Sequence, residues 1–216
     1  MKKLFTIAAF AVLGITSVNA QEVNFGAKAG VNFATITGDD TDGIDSKTGF
    51  HVGAVAEIMI SEKFSIQPEL VYSSQGAKDS ETETETFNGE TVFFKSEAKR
   101  KSDYINLPIM AKFYVADGFS LEAGPQVGFL VNSEAELEYT ESYEGETYSE
   151  KETVDLKDFT SSIDFGVNFG LGYKLDNGLN FGARYNLGLS NINDGEGSDN
   201  FKNQNSVIQV SVGFFF

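Results

Sequence analysis

The chain ends Ser206-Val207-Ile208-Gln209-Val210-Ser211-Val212-Gly213-Phe214-Phe215-Phe216, and the period of two in this stretch decides the fold. Ile208, Val210, Val212, Phe214 and Phe216 share one parity, while Gln209, Ser211 and Gly213 share the other. Successive side chains of a strand point to opposite sides. One face therefore suits hydrocarbon and the other a small polar interior, the pattern of a membrane-spanning strand in a closed barrel.

Seven earlier stretches repeat the alternation, at 23–33, 49–60, 64–74, 103–115, 119–131, 162–173 and 179–189. In 23–33, Phe25, Ala27, Ala29, Val31 and Phe33 oppose Asn24, Gly26, Lys28, Gly30 and Asn32; in 162–173, Ile163, Phe165, Val167, Phe169 and Leu171 oppose Asp164, Gly166, Asn168, Gly170 and Gly172. Each stretch has about 10 to 13 residues, the length a tilted strand needs to cross the hydrocarbon. Three links, 61–63, 116–118 and 174–178, are short, and they alternate with four of about 14 to 30 residues. Such alternation puts short turns in the periplasm and long loops outside. The fold expected is all-β: an eight-stranded antiparallel up-and-down transmembrane β-barrel with short periplasmic turns, long acidic extracellular loops and both termini in the periplasm.

The start of the chain agrees with that destination. Lys2 and Lys3 precede an apolar run over 4–18, and Val18-Asn19-Ala20 offers small residues for cleavage after Ala20. Residues 1–20 are expected to be a signal peptide and 21–216 a single outer-membrane barrel domain. About 15 apolar residues fall short of the ~20 of a spanning helix. Gln21 in place of a cysteine gives no support to a lipid-modified N-terminus, and the chain has no cysteine anywhere.

Without Lys2 and Lys3 the chain keeps 14 basic against 32 acidic residues, a net charge near −18. Of the acidic residues, 23 fall in 34–48, 75–101, 132–160 and 191–205, which places the charge in the expected loops. Nucleic acid is excluded as a partner by this balance, because phosphate neutralisation needs clustered Lys or Arg. A soluble lipocalin-like barrel would turn its apolar face inward, where eight strands leave no room for so many Phe, Tyr, Ile and Leu side chains. Aromatic residues near strand ends fit two interfacial girdles, with Phe64, Phe113, Phe119 and Tyr173 toward the turns and Phe33, Phe50, Tyr72 and Tyr104 toward the loops. Pro68 and Pro125 fall inside expected strands, where a missing N–H predicts local bulges.

Four stretches carry a resemblance to a known family: Gln67-Pro68-Glu69-Leu70-Val71-Tyr72-Ser73-Ser74-Gln75-Gly76, Tyr104-Ile105-Asn106-Leu107-Pro108-Ile109-Met110-Ala111-Lys112-Phe113, Ala123-Gly124-Pro125 and Ala183-Arg184-Tyr185-Asn186-Leu187-Gly188-Leu189. Together they resemble the small bacterial outer-membrane β-barrel domain family that includes the PorT-like proteins, over essentially the whole mature chain. The resemblance implies residence in the outer membrane of a Gram-negative cell, contact with its lipid, and handling by the barrel assembly machinery. It also implies that the closing aromatic strand, through Phe214 and Phe216, is the insertion signal. Some members are called porins, and PorT itself is linked to protein secretion; neither activity is carried by these motifs.

Polar-face parity brings Lys28, Glu57, Glu69, Lys112, Glu122, Asp164 and Arg184 toward the expected lumen. Buried charges must be paired, so Glu69 or Glu57 is expected to reach Lys112 or Arg184. The cluster of Glu57, Glu69, Lys112, Glu122, Asp164 and Arg184 is read as structural filling of the lumen. No catalytic, cofactor or metal site is expected. His51 is the single histidine, read as an inert residue near the loop-side interface, and it cannot form a two-histidine metal site. Acidic stretches 39–45 and 193–199 contain glycine and several carboxylates, yet neither completes a calcium loop. The alternation Glu81-Thr82-Glu83-Thr84-Glu85-Thr86 reads as a strand extension beyond the membrane or as disorder. Function is accordingly expected to be non-enzymatic: a structural or partner-binding outer-membrane barrel acting through acidic loops on an extracellular or envelope protein, with a narrow solute channel as the alternative.

Overall fold

A computed structural model describes residues 22–87, 90–143, 146–195 and 197–216; the expected signal peptide at 1–20 and its cleavage point lie outside the described residues. Among these residues nine antiparallel strands form one sheet: β1 (Val23–Gly38), β2 (Asp45–Ser61), β3 (Phe64–Phe87), β4 (Glu90–Ala116), β5 (Phe119–Tyr143), β6 (Glu146–Asp155), β7 (Ile163–Lys174), β8 (Leu179–Gly188) and β9 (Asn203–Phe215). Each of β1, β2, β3, β4, β5, β7, β8 and β9 pairs with two others of this set. The ring closes where β1 runs against β9 from Gly26↔Phe215 to Gly38↔Asn203. β6 stands outside it and pairs with β5 alone.

Alternation sorts the side chains by solvent preference. Phe25, Val52, Leu70, Ile109, Leu121, Phe169, Phe181 and Val210 point outward and are exposed, whereas Lys28, Asn32, Glu57, Gln67, Asn106, Asn168 and Gln209 are buried inside. This is the inverse of a water-soluble protein and fits a ring standing in hydrocarbon.

The strand count and the loops differ from expectation. Among the described residues there are nine strands, because the stretches expected as acidic loops at 75–101 and 132–160 are largely strand. β3 and β4 continue past the ring to Phe87↔Glu90, β5 follows β4 out to Val92↔Tyr143, and β6 folds back on β5 from Tyr143↔Glu146 to Glu134↔Asp155. Apolar contrast is weak there, but Thr, Val, Phe and Tyr favour strands, and opposite charges meet across them. Glu81 to Thr86 is accordingly part of β3 and lies exposed.

No bulge occurs at the two prolines. Register is unbroken through Pro68↔Ile109 and Pro125↔Val167. An antiparallel residue directs its N–H to one neighbour only, so a proline removes one bond and leaves the other ladder intact. The shifts fall elsewhere, including Asp103/Tyr104, where Asp103 opposes Asn132 and Tyr104 opposes Leu130. Val131 is thus the extra residue, and it reverses parity: Glu122 and Gln126 are buried before it and Ser133 after it. Tyr104, expected in the loop-side girdle, is buried in the lumen instead, where its hydroxyl accepts a hydrogen bond from Asn205 at 3.3 Å.

Candidate functional site

The polar lumen is the chemically dense part of the molecule, and seven charged side chains join there. Lys28 (β1) approaches Glu69 (β3) at 2.7 Å. Arg184 (β8) reaches both oxygens of Glu69, Nη1 to Oε2 at 2.9 Å and Nη2 to Oε1 at 2.7 Å, and its Nε donates to Glu122 (β5) at 3.0 Å. Lys112 (β4) lies 3.5 Å from Glu122 and 3.1 Å from Glu57 (β2), and Lys174 (β7) lies 2.8 Å from the other oxygen of Glu57. Neutral donors complete the carboxylates: Gln67 donates to Glu69, Ser65 and Tyr114 to Glu57, and Ser120 to Glu122. The Phe215 ring of β9 lies under Lys112 and Lys174, at 5.8 and 4.7 Å.

Every strand of the ring therefore contributes one member. Four cations against three carboxylates give the cluster a local charge of +1 inside a strongly acidic protein. A cluster so paired is tolerable in low dielectric only because nearly every oxygen has a donor. Glycines make the room: a Cβ on Gly170 would stand 2.6 Å from Cγ of Arg184.

Five of the six residues singled out from sequence, Glu57, Glu69, Lys112, Glu122 and Arg184, meet here, joined by Lys28. Asp164 stands apart, accepting from Ser190 at 2.7 Å and Asn205 at 2.9 Å. Lys174 was missed because it closes strand β7 beside a turn, where parity reading stops; Phe215 was readable as inward from its parity with Ser211. Phe214 and Phe216 both point outward and are exposed, with their rings 5.9 Å apart edge to face.

His51 sits buried in the lumen and not at the interface expected from sequence, with Nδ1 2.8 Å from Asn32 Oδ1 and Nε2 2.8 Å from Ser211 Oγ. These contacts resemble a nucleophile, base and orienting group. Their surroundings do not suit a substrate, since Ser211 borders a cavity of ≈ 30 Å³ shared with Lys28, Lys112 and Arg184. That cavity is small and lined by charged and polar side chains. A wider basin of ≈ 780 Å³ opens at the turn end, between Glu22, Lys63, Tyr114, Asp117, Lys174 and Phe215. Among the described residues, no group of three His, Asp or Glu side chains is placed to hold a metal ion.

An inverted antiparallel ring with a charged lumen defines a protein of the bacterial outer membrane. The chain belongs to the outer membrane protein beta-barrel domain family, whose model matches residues 19–194. Among solved structures it is similar to Ail, the attachment invasion locus protein of Yersinia pestis, at 12% identity and TM-score 0.46 over 90% of this chain and 99% of that one. It is likewise similar to Neisserial surface protein A, at 12% identity and TM-score 0.47 over 92% and 100% of the two chains. OprG from Pseudomonas aeruginosa gives 12% identity and TM-score 0.40 over 92% and 98%. A search of the curated proteins returns no match by sequence.

Proposed function

We propose that the protein is a closed, non-enzymatic outer-membrane barrel of eight membrane-crossing strands that presents its β3–β6 extension to a protein partner outside the cell. The observation that carries this reading is the lumen cluster, which ties all eight ring strands together and leaves a small cavity beside it. Short turns and both termini face the periplasm in this reading, and the closing Phe214 and Phe216 serve the assembly machinery as the insertion signal. Placement beside the PorT-like members of the family rests on the four motifs quoted above.

Planar-bilayer recording of the refolded protein tests closure: no discrete steps should rise above the bare bilayer, and regular steps would favour a narrow channel. Orientation is tested with single cysteines, since the chain has none of its own. Thr84→Cys should react with an impermeant maleimide on intact cells, and Asp117→Cys only after the outer membrane is opened; the reverse pattern would invert the topology. Labelling of Ser211 by a fluorophosphonate would contradict the non-enzymatic reading.

A further inference from the structure

Beyond the ring, β3 to β6 form a four-stranded sheet whose two faces are chemically unlike. On one face lie the ion pairs of Lys95 and Lys99 with Glu97 and of Lys101 and Lys151 with Glu136. The other face shares its parity with buried Ala77, Ser102 and Ser133, so it continues the lumen wall out over the mouth. At its centre Phe94 stacks on Tyr139, with centroids 6.3 Å apart and planes at 29°. Leu137, Tyr139 and Tyr148 beside them are exposed at 42, 43 and 64%.

Acidic rows border this strip on both edge strands. Glu81, Glu83 and Glu85 share the face on β3, and Glu146, Glu150 and Glu152 share it on β6. Register places them across from one another: Glu81 opposes Ser96, Ser96 opposes Tyr139, and Tyr139 opposes Glu150. Aromatic centre and acidic borders thus run side by side along the sheet, with Glu141 entering the strip toward its outer end.

We infer that this face is a docking site for a cationic amphipathic helix of three to four turns, a partner class that deepens the proposed partner-binding role and rests on it. Three strand spacings separate the acidic rows by about 14 Å, and a helix with its side chains is about 10–12 Å across. The strip runs about six residues, or roughly 20 Å, the length of about 13 helical residues. An apolar helical stripe would cover Leu137, Tyr139 and Phe94, while Lys or Arg on its flanks would reach both Glu rows and the ring faces. A second copy of this chain is a poor occupant, because it would bring acidic rows against acidic rows. An anionic lipid surface is repelled for the same reason.

The test uses full-length mature protein in phosphatidylcholine nanodiscs and a 14-residue Lys/Leu amphipathic peptide carrying one tryptophan, with empty nanodiscs subtracted. The protein has no tryptophan, so emission reports the peptide alone. Saturable binding with helical circular dichroism is expected, and the peptide of scrambled order should bind at least about tenfold more weakly. Replacing Glu81, Glu83 and Glu85 together by Gln, or Tyr139 by Ser, should each weaken binding about tenfold, a loss of the size single anchors and charge rows give. Phe93→Ser, on the opposite face and exposed, should change it less than about twofold. Equal binding of the scrambled peptide, an equal effect of Phe93→Ser, or a bound peptide in strand form added to an open sheet edge would each overturn the inference. Its failure is separable from that of the proposed function, because a barrel that is closed in the bilayer yet binds no helix refutes only the docking site, and a conducting barrel that binds it refutes only closure.

Discussion

The same residue types, Lys and Glu on neighbouring strands, make ion pairs in two places, and the surroundings give them different roles. In the lumen, Glu57 and Glu69 have fully buried side chains, and each contacts two cations. In the extension, Lys101 and Glu136 meet with side chains 32 and 18% exposed, and Lys151 approaches Glu136 with 55% exposure. A buried ion deprived of its partner has no water to replace it, whereas an exposed one does. The lumen pairs are therefore obligatory once the ring exists, and the extension pairs are adjustable. Folded strength belongs to the ring and freedom to change its surface chemistry belongs to the sheet above it.

The sharpest way to break this contrast is to remove one carboxylate from each region. Glu69→Ala strands Lys28, leaves Arg184 with Glu122 alone, and should destabilise the inserted protein by about 3 to 5 kcal/mol. Reversible unfolding in phospholipid vesicles measures it. Glu136→Gln, which also loses two cations, should cost less than about 1 kcal/mol in the same assay. Comparable costs at the two positions would mean that the lumen is wetter than its contacts indicate.

A second comparison lies across the ring wall. Val167 and Asn168 are adjacent in β7, and only Asn168 is buried, donating to Gln126 at 3.2 Å and accepting from Asn186 at 3.2 Å. Val167→Arg should cost about 2 to 4 kcal/mol if it sits near the midplane, since hydrocarbon cannot solvate a guanidinium. Asn168→Ser should cost about 1 kcal/mol, the worth of the hydrogen bonds it weakens. A tolerated Val167→Arg beside a damaging Asn168→Ser would turn the ring inside out.

How much of this was legible in the chain follows the same division. Ring strands combine a hydrophobic face with a polar one, so the contrast every two residues announces both the strand and the direction of each side chain. Glu57, Glu69, Lys112, Glu122 and Arg184 could be gathered from parity alone for that reason. The extension is exposed on both faces and Glu-Thr alternation carries little apolar contrast, so β6 and the outer halves of β4 and β5 read as loops, and Glu81 to Thr86 reads as a strand extension or as disorder. Parity also has no memory of insertions. Val131 reverses it without any glycine or proline to mark the place, while Pro68 and Pro125, which look like interruptions, leave the register whole. Tyr104 and His51 show a further limit, because an amphipathic ring suits an interface as well as a hydrogen-bonded lumen, and only partners such as Asn205, Asn32 and Ser211 decide between them.

The smallest effect expected is a pH dependence of the extension. Hydrogen bonds from Lys95 and Lys99 hold the Glu97 carboxyl down at about 2, and Lys101 lowers Glu136 in the same way. A carboxylate depressed by folding stabilises the fold fully above its unfolded pKa, and that contribution disappears as pH falls through the folded value. For Glu97 the window runs from about 4.3, the ordinary value for glutamate, down to about 2. The partner lysines act at the opposite end: Lys99 and Lys101 are raised by Glu97 and Glu136, so their share is lost only at strongly alkaline pH. Between these limits the pairs stay charged. Protection factors of the amides at 95–101 and 134–138 should therefore fall between pH 4.5 and 2 in hydrogen-exchange measurements. Glu97→Gln should remove most of the change near residue 97. An extension that keeps its protection to pH 2 would show that strand pairing alone holds the sheet and that its ion pairs contribute nothing measurable, as many exposed pairs do.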